Sequence, residues 1–293
     1  MRDVCEHDRI RSSASSPVKT LAVLSQKGGV GKSTIARLMA TAYAAAGWRV
    51  KIADFNTKQL ASVDWAGSRL NHEARPEVPA EAFPNVKKAL IQQTQYDLMV
   101  FDGKPGFDVI TLEIARESDM ILVPVGVSLD DLRPQVKFAH ELLQRGIDRN
   151  DILFVLNKSL DSATSITDAK GFIKAAGYQV AQNALPSKTG YQLAQNNGRA
   201  VNESAYLSLN KRADALAHEI IDRLSAVLAP TPGQAPQNMA SADGKPWHDL
   251  SFKVTLEQLK AFRLEAAKRE MKQKDLLLAM WQLYRDTLPV PER

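Results

Sequence analysis

The chain has 293 residues, 44% of them hydrophobic and 24% charged, enough for one full α/β core with an appendage and unlike a disordered or fibrous chain. Its 38 Lys and Arg against 33 Asp and Glu give a net charge of +5, a modest tilt toward acidic partners such as nucleic acid or an anionic membrane. Cys5 is the only cysteine, which rules out an intrachain disulfide or a cysteine-built metal centre and suits a reducing cytoplasm.

Residues Met1 to Pro17 lack the apolar stretch of a signal peptide and read as a disordered leader. No apolar run approaches the roughly 20 residues that span a bilayer, so no stable membrane insertion is expected and the protein is expected in the cytoplasm. A short apolar run, Thr20 to Ser25, leads into Gln26-Lys27-Gly28-Gly29-Val30-Gly31-Lys32-Ser33-Thr34, and from Ser33 the residues Ile35, Leu38, Met39 and Ala42 recur at helical spacing. Strand, glycine loop and helix in that order make a phosphate cradle. Gly28, Gly29 and Gly31 let backbone N–H groups turn toward an anion, with Val30 and Thr34 completing the loop. Lys32 reaches the outer phosphates, and the Ser33 hydroxyl suits a Mg²⁺ ion at the positive end of the helix.

Arg49 to Ala53 supplies a second strand ending at Asp54, announcing a βαβ unit and a parallel sheet whose ligands bind at the strands' carboxyl ends. Tyr96 to Asp102 is the next strand, and Asp102, closing an apolar run beyond the glycine loop, is the candidate for a carboxylate in the Mg²⁺ shell. Residues 56 to 95 hold a weak helical pattern (Val86, Leu90, Ile91) and a proline-rich stretch without a clear assignment. The alternation then resumes, with strands over Asp119 to Val125 and Ile152 to Asn157, helices over Leu129 to Arg145 and Thr167 to Ala176, and a long helical pattern from Ser204 to Leu228.

The glycine loop misses the general pattern G-x-x-x-x-G-K-[ST] at its first position, which is Gln26, and carries Lys27 directly before Gly-Gly. In this it resembles the deviant Walker A motif of the ParA/MinD family, K-G-G-x-x-K-[ST], and the likeness covers about residues 18 to 228. The resemblance implies a P-loop fold with a mostly parallel sheet flanked by helices, ATP and Mg²⁺ as cofactors, and an ATP-sandwich homodimer in which Lys27 reaches the partner's nucleotide. It implies Asp54 and Asp102 around Mg²⁺ with Ser33, and Asn157 at the adenine base. The late segment through Leu185-Pro186 adds Pro186 to the nucleotide site. Gly103-Lys104-Pro105-Gly106 resembles the family's D-x-P-P-G switch, with Lys104 in place of the first proline. Relatives carry D-x-D after the second strand, where this chain has Asp54-Phe55-Asn56, and Gln59 is the candidate for the glutamine that follows. An amide orients a water but cannot take its proton as a carboxylate does, so slow hydrolysis is expected.

Ala229 to Pro246 is rich in Pro, Gly and Ala and reads as a linker spanning on the order of 25 Å. Leu250 to Val254 then alternates with period two, Leu259, Phe262 and Ala266 take helical spacing, and Leu276, Leu277, Met280, Leu283 and Tyr284 repeat it. Such a unit over residues 247–293 is too small for a self-sufficient core and should pair with a copy of itself. It resembles the ribbon-helix-helix fold, which implies DNA binding through Ser251 and Lys253 on the ribbon and through backbone around Lys272 and Lys274 at phosphate. Two other readings stay open, a helical hairpin that only dimerises and a MinD-like amphipathic helix over Leu276 to Tyr284 that seeks a membrane. The expected function is a ParA-type ATPase acting in plasmid or chromosome partition or positioning, with a separate adaptor protein as a further partner. The rivals are an ATP-gated DNA-binding regulator with little hydrolysis and a membrane-positioning ATPase.

Overall fold

The computed structural model describes residues 19–159 and 162–227. The leader, the linker and the ribbon-helix-helix-like unit, with Ser251, Lys253, Lys272 and Lys274, lie outside the described residues.

In chain order the elements are β1 (Lys19–Ser25), α1 (Lys32–Ala45), β2 (Val50–Asp54), α2 (Ala61–Asn71), β3 (Ala80–Ala82), α3 (Val86–Leu90), β4 (Leu98–Pro105), α4 (Val109–Arg116), β5 (Met120–Val125), α5 (Leu129–Gln144), β6 (Ile152–Ser159), α6 (Ala163–Ala175), β7 (Gln179–Val180), β8 (Leu185–Pro186), α7 (Thr189–Asn196) and α8 (Leu207–Val227). The main sheet runs β3-β2-β4-β1-β5-β6-β7, with β8 also on β6, and every strand pair is parallel. This is the expected α/β class.

Its strands read as near-continuous apolar runs because helices cover both faces. Alternate residues feed two separate cores. Leu21 and Val23 of β1 join Leu98 and Val100 of β4 beneath α1 and α8, while Ala22 and Leu24 join Met99 and Phe101 beneath α4 and α5. The β1 strand sits centrally between β4 and β5, so the glycine loop leaves the sheet at its middle. The strands named from their apolar runs appear close to their expected bounds. The last helix begins at Leu207 rather than Ser204, after a short 3₁₀ turn over Val201–Glu203.

The unassigned stretch 56–95 holds α2, β3 and α3. The buried positions of α2 are Ser62, Trp65 and Arg69, not an apolar stripe. Arg69 is held in two parallel bonds by Glu203, at 2.6 and 2.8 Å, and also donates to the carbonyls of Gly198 and Pro76. Gly198 adopts φ +64°, and a Cβ there would meet the Arg69 backbone at 2.2 Å, so α2 seats against the α7 end only with glycine at that point.

Candidate nucleotide site

The carboxyl ends of β1, β2, β4 and β6 converge on one edge of the sheet. The glycine loop turns out of β1, with Gly29 at φ +75° and Gly31 at φ +93°, backbone that L side chains rarely adopt. A Cβ on Gly31 would lie 2.0 Å from the Asn157 amide nitrogen. That amide donates to the Val30 carbonyl at 2.7 Å, and the next residue, Lys158, itself at φ +55°, reaches the Gly29 carbonyl with Nζ at 2.7 Å. Two consecutive residues of β6 thus tie two loop carbonyls outward, which leaves the loop's N–H groups to face an anion.

Lys32 is the first residue of α1 and is buried, with Nζ 3.1 Å from the Ser25 hydroxyl and 3.5 Å from the Lys27 carbonyl. Both partners are neutral, and burial lowers its pKa against the pull of Asp102. A desolvated cation with only neutral oxygens beside it is stabilised by an incoming anion, so this lysine fits a phosphate. Lys27 points elsewhere in the described chain, pairing with Asp131 Oδ1 at 2.7 Å. The Ser128 hydroxyl, which caps α5, donates to the other oxygen of Asp131.

Asp54 and Asp102 stand opposite each other in register on β2 and β4, so both carboxylates rise on the α1 face. Both are buried. Asp54 accepts from the backbone N–H groups of Asn56 and Ser62, each at 2.9 Å. Asp102 Oδ2 accepts from the Ser62 hydroxyl at 2.6 Å, while Oδ1 has no hydrogen-bond partner among the described residues. Desolvation pushes the Asp102 carboxyl up to about 6, opposed by the Ser62 hydrogen bond and the nearby Ser33 hydroxyl, with the Asp54 charge adding to the rise and Arg37 offsetting it. A buried carboxylate with an orphaned oxygen beside a second carboxylate and a loop hydroxyl fits a divalent cation. Among the described residues no group of three or more His, Cys, Asp and Glu stands ready for a metal, so a Mg²⁺ ion here would lean on this pair, Ser33 and the phosphates of the nucleotide.

The side chain of Asn56 donates to Gln59 Oε1 at 2.7 Å, so the two amides of this loop engage each other, and no acidic residue stands between Phe55 and Leu60. Beside the glycine loop a cleft is lined by Thr34, Asn157, Pro186, Lys188 and Gln195, which places Asn157 and Pro186 side by side. The switch-like segment after Asp102 runs against the loop, since Gly106 N–H donates to the Ser25 carbonyl at 3.1 Å and Lys104 pairs with Asp108.

Sequence reasoning missed Ser62, Arg37, Gln195, Lys158 and Asp131. Arg37 bonds the Ala61 carbonyl at 2.6 Å and Gln195 at 3.3 Å, and Gln195 also accepts from Thr34. Apart from Lys158, which follows Asn157 at the end of β6, none of them stands in a glycine, proline or strand-end pattern, and their three-dimensional neighbours reveal them.

A glycine loop between the central strand of an all-parallel sheet and its first helix, with paired carboxylates on the next strands, defines a P-loop nucleotide-binding domain. Residues 21–201 match the CobQ/CobB/MinD/ParA nucleotide binding domain, and the chain belongs to that family. It is 28% identical over 221 residues to the "Maintenance of carboxysome distribution protein A" of Halothiobacillus neapolitanus, covering 73% of this chain and 99% of that protein. Two solved structures share the fold. One is the septum site-determining protein MinD of Pyrococcus horikoshii complexed with Mg-ADP, at TM-score 0.57 and 14% identity, covering 73% of this chain and 100% of that one. The other is a putative plasmid partition protein of Borrelia burgdorferi B31 bound to AMPPNP, at TM-score 0.55 and 15% identity, covering 70% of this chain and 99% of that one. Among the described residues no helix is long and apolar enough to cross a membrane.

Proposed function

We propose that the protein is a ParA-type, Mg²⁺-dependent ATPase that forms an ATP-sandwich homodimer and binds DNA, acting in partition or positioning of a plasmid, a chromosomal site or a larger cargo. The observation that carries the reading is the register pairing of Asp54 with Asp102 beside a buried Lys32 whose contacts are neutral. Lys32 and the loop N–H groups of residues 28–34 hold the phosphates; Ser33, Asp54 and Asp102 hold the Mg²⁺ shell; Asn157 and Pro186 flank the base. Lys27 crosses to the partner's nucleotide once it leaves Asp131. Mg²⁺ supplies charge neutralisation on the transferring phosphoryl group. The unit over residues 247–293 supplies DNA contacts through Ser251, Lys253, Lys272 and Lys274, and a separate adaptor protein stimulates turnover. The carboxysome-distribution relative supports a positioning role and widens the class of cargo beyond DNA.

One observation favours a second reading, an ATP-gated DNA-binding switch with little hydrolysis. The loop after β2 carries no carboxylate between Phe55 and Leu60, and its Asn56 and Gln59 amides bond to each other. Phosphate release measured with and without DNA, for the native chain and Asn56→Asp, separates the two. Native turnover that the substitution leaves unchanged contradicts the slow-turnover assignment, and a rise of about tenfold or more supports it.

A further inference from the structure

Ser62 is the second residue of α2, fully buried, and bonds both carboxylates of the site: its backbone N–H donates to Asp54 Oδ2 at 2.9 Å and its hydroxyl to Asp102 Oδ2 at 2.6 Å. A serine hydroxyl has one proton to give, and here it is given to Asp102. The bond fixes the rotamer of that carboxylate and consumes one of its oxygens, so the orphaned oxygen is always Oδ1. The same residue closes the Asn56 loop. That loop begins with Asn56 N–H on Asp54 Oδ1, turns through Gln59 and Leu60 N–H groups on the Asn56 carbonyl, passes Leu60 at φ +49°, and ends at Ser62. Both ends of the loop thus donate to the Asp54 carboxylate, and the Ser62 hydroxyl adds the bond to Asp102.

The geometry points to Ser62 as a positioning residue for the metal. It holds Asp102 in the one orientation that presents Oδ1 to a Mg²⁺ ion or its water, and it transmits the state of that carboxylate to the loop that carries Asn56 and to the start of α2. The inference rests on the nucleotide-site reading above and adds a residue to it. A serine that merely satisfied a buried carboxylate would affect folding alone. A serine that aims the carboxylate affects the metal in particular, because losing the donor lets Asp102 rotate and share both oxygens between the ion and the hole left behind.

The test is the binding of a fluorescent, non-hydrolysable ATP analogue to the full chain, titrated with Mg²⁺ and repeated in EDTA, for the native protein, Ser62→Ala and Ser62→Cys. Cysteine matches serine in size but is a poor donor, which separates filling the site from donating a hydrogen bond. The expected result is a Mg²⁺ half-saturation raised about tenfold in both variants, in line with loss of a hydrogen bond to a charged group, with affinity in EDTA within about twofold of native. Half-saturation unchanged in Ser62→Ala, an equal loss with and without Mg²⁺, or full recovery in Ser62→Cys would each overturn the inference. Native protein that binds the analogue in neither condition overturns the nucleotide-site reading itself, a distinct outcome.

Discussion

Lys27 Nζ lies 2.7 Å from Asp131 Oδ1 of its own chain, so the lysine that the ParA/MinD resemblance sends across a dimer is held in cis. The Lys27 and Asp131 side chains are 46% and 29% exposed, and ion pairs of that kind hold weakly because water screens both charges. The pair is therefore a resting place and not a lock. Asp131→Asn should change the ATP concentration needed for dimerisation by no more than about threefold. Lys27→Ala should abolish ATP-dependent association while leaving ATP binding to the single protomer, which sedimentation velocity paired with calorimetry would resolve.

The buried pair of carboxylates makes the protein's stability depend on pH in a definite direction. The Asp102 carboxyl is pushed up to about 6 by burial, so the folded state holds this proton more tightly than the unfolded chain does. Its stabilising contribution is complete below the unfolded value near 4 and is lost as pH rises through about 6. Asp102→Asn removes that titration. Without nucleotide or Mg²⁺ at pH 7.5, the variant should be more stable than the native protein by about 1–2 kcal/mol, with the difference vanishing near pH 4. Thermal melts across that range check the sign, and a constant difference from pH 4 to 7.5 would contradict it. Mg²⁺ should stabilise the nucleotide-bound native protein and not the variant.

Gly31 faces two penalties at once, since any side chain there meets φ +93° and also the Asn157 amide at 2.0 Å. Gly31→Ala should cost about 1–2 kcal/mol of backbone strain and displace Asn157 from the Val30 carbonyl, with nucleotide affinity falling at least tenfold. Asn157→Ala removes the clash but not the strain. In the double variant the loss should be less than the sum of the two single losses, which a double-mutant cycle on nucleotide affinity measures.

Lys32 carries the opposite balance of binding and stability. Burial without an anionic partner costs the protomer, so Lys32→Met should keep or raise the melting temperature of the nucleotide-free protein while ATP binding drops by roughly two orders of magnitude. A melting temperature lowered by several degrees would show that the lysine holds the fold and not a phosphate.

The parts of the site legible in the sequence were those whose signal is local. Ser25 to Thr34, Asp54, Asp102 and Asn157 all lie where an apolar run ends, because a parallel sheet covered on both faces needs strands of uninterrupted apolar residues and leaves its chemistry at their ends. The segment 56–95 was illegible for the complementary reason. Its main helix buries Ser62, Trp65 and Arg69 instead of an apolar stripe, and the arginine is acceptable there only because Glu203, 134 residues later, neutralises it with two bonds. β3 has three residues and α3 five, too short to show a period. Ser62 and Asp131 owe their roles to partners 40 and 104 residues away, and no local pattern encodes such pairs.

The proposed function stands on a Mg²⁺-dependent ATP site built from the loop and the two carboxylates. Calorimetric titration of the full chain with ATP, in Mg²⁺ and in EDTA, beside Lys32→Met, tests it most directly. Micromolar binding by the native chain is expected, weakening at least tenfold without Mg²⁺ and about a hundredfold in the variant. Native binding absent at millimolar ATP, or equal in the native protein and Lys32→Met, would contradict it.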